Sequence, residues 1–191
     1  MIDAAIRCLA GELNDFFGRT LETAEDMVVV SNLLGADGAV APDVTNKIVL
    51  FLTAIERDTT TQRGPEQPGR AFVGGGPLFL NIYVMAAANF TGRNYQDALR
   101  LISLLIGFFH ERPVFDRYKS PAMDLSIEKL ILDIENTPPP VMSNIWGVLG
   151  GRYLPSVLYR VRVVAIDNGH IIGRQVGIID PTVATERRRA P

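Results

Sequence analysis

The sequence has one cysteine, Cys8, in 191 residues. That excludes an internal disulfide and fits assembly in a reducing compartment, with Cys8 read as a small core residue of a helix. Its two histidines, His110 and His170, stand in unrelated contexts with no neighbouring ligand at metal spacing, so neither a metal centre nor a positioned general base is expected. Excess charge of either sign is missing as well. Nineteen lysines and arginines against 21 acids give a formal net charge of −2, too little for a global field that would hold nucleic acid or an anionic membrane. No apolar run approaches the ~20 residues of a membrane span. The opening "MIDAAIRCLAGELNDFFG" mixes acids with apolar residues and lacks a basic stretch before an apolar block, so it does not read as a signal peptide.

The motifs of common enzyme classes are also missing. No Gly-x-Ser-x-Gly elbow occurs, and Cys8 has no base beside it in sequence. Gly74, Gly75 and Gly76 suggest a phosphate loop, but such a loop runs from a strand into a helix and ends in Gly-Lys-Ser or Gly-Lys-Thr, whereas this one enters a strand. Acidic pairs such as Glu25 and Asp26 fall at a turn and read as solvated. No catalytic residue, cofactor or small-molecule substrate is expected.

What is present is ordinary globular composition, 47% hydrophobic and 21% charged, long enough to bury a real core. Ile2, Ala5, Ile6, Leu9, Leu13, Phe16 and Phe17 form one helical stripe, with Asp3 available as a cap and Gly18 as a stop. Two β-branched runs, "EDMVVVSNLL" and "KIVLFLTAIERD", read as strands around the turn-forming "GADGAVAPD", and a third strand follows in "PLFLNIYVMAAANF". Residues 94 to 113 spell a helix with Asn94 as cap, Asp97 in the first turn and Pro113 as stop; its apolar face is wide enough to lie against a sheet. "LSIEKLILDIEN" reads as the fourth strand, "PPPVMSNIWGVLGG" as a proline-started, glycine-ended short helix, and residues 150 to 167 as the fifth strand.

That last strand carries an anomaly. Val157, Tyr159, Val161, Val163 and Ala165 share one face, but the other alternates Leu158, Arg160, Arg162, Val164 and Ile166. Two guanidinium groups left unpaired in a dry core would cost several kcal/mol, so they must meet carboxylates or lie at a surface or subunit boundary.

"PLFLNIYVMAAANF", "NYQDALRLISLLIGFFHERPVFD" and "LILDIENTPPPVMSNIWGVLGGRYLPSVLYRVRVVAID" together resemble the cap, or tail-terminator, family of contractile injection systems, with the likeness strongest from residue 77 to 167. The resemblance implies an α+β fold related to phage tail terminators, built on a mixed or antiparallel sheet of about five strands with amphipathic helices packed on it. It further implies a homohexameric ring at the baseplate-distal end of a phage-tail-like particle, with inner-tube and sheath proteins as partners. Such a ring stops tube growth, anchors the last sheath layer and assembles in the cytoplasm, whether the particle is later released or attached to a membrane. No nucleic-acid partner and no membrane insertion are implied. Some members carry a further C-terminal domain; the sequence reaches Pro191 without one, so that domain's role is expected to lie elsewhere.

Residues 1 to 167 are accordingly expected to form one cap domain and residues 168 to 191 an arm. Candidate interface residues are Arg160, Arg162 and Tyr153, with Gln62, Arg63 and Arg70 in the polar connection and Ile171, Ile172 and Arg174 in the arm. The run "HIIGRQVGIID" has apolar pairs suited to adding a strand to a partner's sheet edge. The alternative is a stand-alone adaptor using the basic "ERRRAP" tail on nucleic acid or an acidic protein.

Overall fold

The computed structural model describes residues 1–35, 38, 41–58, 79–90 and 92–165. The first element is α1 (Ile2–Leu21). Its predicted stripe is buried as expected, yet both predicted ends move. Asp3 makes no cap hydrogen bond and instead pairs with Arg7 one turn on. The helix runs through Gly18 and stops only at Glu22, whose left-handed φ of 52° ends the helical path.

Strand β1 (Val28–Val30) is shorter than its apolar run. Asn14 of α1 explains where it lies: its side-chain amide donates to the Val28 carbonyl (2.9 Å) and its oxygen accepts from the Val28 N–H (2.8 Å). After Val30 the chain leaves the sheet edge, and Leu33 and Val44 pack under the opposite face. Strands β2 (Lys47–Arg57) and β3 (Phe79–Asn89) form an antiparallel pair with a bulge between Leu52 and Ala54.

Helix α2 (Tyr95–Glu111) follows, with no cap bond from the Asn94 side chain; its end is closed by the Arg112 N–H donating to the Phe108 carbonyl, just before Pro113. Strand β4 (Val114–Asp116) went unread in the sequence because three residues carry no periodicity. Strand β5 (Ile127–Ile134), helix α3 (Pro139–Val148) and strand β6 (Ser156–Ala165) are the last elements among the described residues. Gly150 and Gly151 end α3 in left-handed conformation, φ 85° and 72°, and the Gly151 N–H reaches back to the Trp146 carbonyl.

Among the described residues the sheet therefore has six strands, not five, in the order β1-β2-β3-β6-β5-β4, with β1 parallel to β2 and every other pair antiparallel. The α+β class and the mixed sheet stand as expected. One face packs against α1 and α2 around a large apolar core that includes Phe17, Leu105, Ile82, Leu130 and Val161. Phe16 stacks on Phe108 at 4.8 Å and Phe109 meets Tyr159 edge-on at 5.1 Å. Burial raises the Tyr159 hydroxyl pKa above its ordinary value. Part of the other face is covered by α3 and the segment before β2, where Trp146 and Leu154 pack on Phe51, Met85 and Leu158.

Candidate assembly interface

The two faces of β6 divide as its alternation requires. Val157, Tyr159, Val161 and Val163 are buried against the helices, while Leu158 lies under α3 and Arg160 and Arg162 emerge beyond its reach. In register, Arg160 stands between Tyr83 of β3 and Asp133 of β5, and Arg162 between Asn81 and Ile131. Both arginines meet carboxylates within their own chain.

They do so differently. The Arg162 Nε lies 2.8 Å from Oδ2 of Asp58, a carboxylate with no exposed side-chain surface at the end of β2. That contact is a close ion pair with a carboxylate shut away from solvent. Arg160 is held only at longer range, 3.9 Å from Asp133 and 3.8 Å from Glu135, with 40% of its side chain exposed. Beside them the Tyr83 hydroxyl donates to Glu56 at 2.9 Å, and this bond is the main cause of its raised pKa. Three carboxylates thus meet the two guanidinium groups, with Glu56 bound to Tyr83 beside them and Lys129 on the same face. The open half of the sheet is an ionic ladder with an acidic excess, not the basic stripe that the β6 sequence alone suggests.

The covered half of the same side has the opposite character. No charged residue occurs between Glu135 and Arg152, yet α3 stands at the surface, exposing Val141 and 89% of Val148. Tyr153, a predicted interface residue, is 64% exposed and packs edge-on against Trp146 at 5.8 Å. One side of the molecule therefore sets a neutral, partly apolar patch beside an ionic one, which is the usual division between the centre and rim of a protein interface.

Of the predicted contact residues, the structure brings Arg160 and Arg162 together and places Tyr153 on the same side of the sheet. Gln62, Arg63, Arg70, Ile171, Ile172 and Arg174 lie outside the described residues. Sequence reading missed Asp58, Asp133 and Glu135. The last two stand two residues apart at the end of β5 and just beyond it, a signal that could have been matched to the alternating arginines. It also missed the loop after β4, which exposes Tyr118 (97%) and Leu125 (79%). There Asp116 accepts from the Tyr118 and Lys119 N–H groups, and Arg117 donates to the carbonyls of Leu125 and Ile127.

Among the described residues no cluster of side chains could hold a metal ion, and no helix is long and apolar enough to cross a membrane. Cys8 is half-buried on α1, where burial, with the nearby Glu12 carboxylate, pushes its pKa up to about 11.

Residues 4–174 match the family described as the Pvc16 N-terminal domain. A search of curated proteins finds no match. Two solved structures share the fold. One is the sheath/tube terminator, in its extended state, of the extracellular contractile injection system PVC (TM-score 0.57, 15% identity, 95% of this chain and 64% of that one). The other is the tube-terminating cap of the anti-feeding prophage (TM-score 0.58, 14% identity, 96% and 61%). The chain thus spans under two thirds of the length of either neighbour.

Proposed function

The chain belongs to the Pvc16 N-terminal domain family, and from that premise we propose that it is a structural cap of a contractile injection system, ending the inner tube. The observation that carries this reading is the likeness in fold, over nearly the whole chain, to two proteins described as tube terminators. A cap of this kind makes and breaks no covalent bond, so the reading assigns it no catalytic residue. It must fit the last tube layer while offering no second copy of the surface that recruits the next.

In this reading six copies close a ring, with the terminal sheath layer anchored on it. A closed ring needs a heterologous contact, one patch of each copy meeting a different patch of the next. The side bearing α3, Tyr153 and Arg160 supplies one such patch, with apolar contact to hold it and charge to set its register. Of the two arginines, Arg160 is the better placed to re-pair across a boundary, because its own carboxylates stand near 4 Å. Residues 168–191 act as a docking arm.

The test is to assemble tube protein with and without this chain and to measure tube lengths by electron microscopy. Added cap should arrest growth and leave a ring at one end. Tubes with the same length distribution and bare ends would refute the proposal.

A further inference from the structure

Both edges of β6 are taken. β3 pairs with one side and β5 with the other, as far as Ile127 opposite Ala165. A chain that turns back after β6 therefore pairs with an outer edge of the sheet or with none. At this end of the sheet the β5 edge is covered: β4 pairs with Lys129–Ile131, and Arg117, just after β4, donates to the carbonyls of Leu125 and Ile127.

The β2 edge is not. β1 pairs only with Ile48–Leu50, and the Ser31 N–H donates to the Leu50 carbonyl. From Leu52 to Arg57 no strand among the described residues lies on that side, although natural sheets close or blunt such edges. With one extra residue at Thr53, Leu52 stands opposite Val84 and Ile55 opposite Ile82, so both point to the helix side of the sheet. There they remain 38% and 49% exposed, with half-buried Leu80 beside them. Unpaired backbone next to exposed apolar side chains is what an added strand recognises, the backbone giving affinity and the pockets giving specificity.

We infer that the chain closes this edge itself, with its own residues 171–179 as a further strand antiparallel to β2 along Leu52–Arg57. Val164 of β6 stands opposite Phe79, and Leu80 opposite Arg57, so β6 ends at the same end of the sheet as the open edge, and a chain returning from there runs antiparallel to β2. Asn168 and Gly169, a turn-forming pair, come just after β6. The reach suffices: a strand beyond β2 lies three interstrand spacings from β6, about 14 Å, and from Ala165 to Ile171 the chain extends about 20 Å. A segment tethered this closely competes at an effective concentration on the order of millimolar, far above that of a separate copy in dilute solution. In an extended chain Ile172, Val176 and Ile178 share one face and suit the shelf of Leu52 and Ile55. The family match also runs past β6 to residue 174, so the start of this stretch travels with the domain. A closed edge keeps copies from adding to one another edge to edge without limit. The inference does not rest on the ring reading, and of the arm it leaves residues 180–191 to dock.

Full-length chains with Cys8→Ser test it. One carries Ile55→Cys with Val176→Cys; the control carries Val176→Cys with Glu128→Cys, an exposed position beside the end of β6 that a loose arm reaches as easily. After oxidation, denaturing gels without reductant should show the first chain bridged within itself at several-fold the yield of the control. Equal yields overturn the inference. So do bridged dimers as the main product of the first chain, which would put the segment on a neighbouring copy. As a second measurement without added cysteines, the amides of Leu52–Arg57 should exchange several-fold faster in Ile172→Lys/Ile178→Lys protein than in the unaltered chain. Equal exchange also overturns the inference, whether the edge is then bare or covered by residues 59–78.

Discussion

Replacing Arg162 by alanine should destabilise the monomer, and replacing Arg160 should not. The Arg162 guanidinium is 2.8 Å from a carboxylate with no solvent-exposed surface. A buried charge that loses its ion-pair partner keeps its desolvation penalty, about 1–3 kcal/mol or more for a charged group. Arg162 is 35% exposed and Asp58 has contacts beyond this one, so the expected loss is about 1–3 kcal/mol. For a chain of 191 residues this lowers Tm by about 2–12 °C at roughly 2–4 °C per kcal/mol. Arg160 holds its carboxylates at 3.8 and 3.9 Å with 40% of its side chain exposed, and exposed pairs contribute about 0–1 kcal/mol and weaken with salt. Urea and thermal unfolding of both variants, at low and high salt, with Asp58→Ala completing a double-mutant cycle, measures the difference. Equal losses at Arg160 and Arg162, or no coupling between Arg162 and Asp58, would refute the assignment of Arg162 to the fold and Arg160 to the surface.

Two further outcomes follow from the geometry. The raised pKa of Cys8, about 11 against an ordinary 9.0, leaves about 100-fold less thiolate at pH 8 than an unperturbed thiol, since each pKa unit is a factor of ten. Alkylation of the folded chain should therefore be slow at pH 8, accelerate toward pH 11, and match a free thiol after unfolding in urea; rapid labelling at pH 8 in the native state would contradict the burial. Asn14→Ala should remove both hydrogen bonds that hold β1 to α1, lowering stability by about 1–3 kcal/mol and exposing Val28–Val30 to early hydrogen exchange. Unchanged protection of Val28 would show that pairing with β2 alone keeps β1 in place.

Local pattern carried much of this molecule. The stripe from Ile2 to Phe17, the wide apolar face from Ala98 to Phe109 and the alternation along Val157–Val163 are periodicities of adjacent residues, and each became the element its period required. The same alternation forced Arg160 and Arg162 onto a face that could not be dry. What it could not supply was their partners. Asp58, Asp133 and Glu135 come from β5 and from the ends of β2 and β5, and a strand's neighbours depend on sheet order, which no local pattern encodes. The three-residue β4, the ending of α1 at Glu22 instead of Gly18, and the bulge at Thr53 that turns Ile55 to the helix side were also settled by packing. In sequence the two arginines are equivalent, two positions apart on one strand. Tertiary structure separates them, because only one stands within hydrogen-bonding reach of a carboxylate shut away from water.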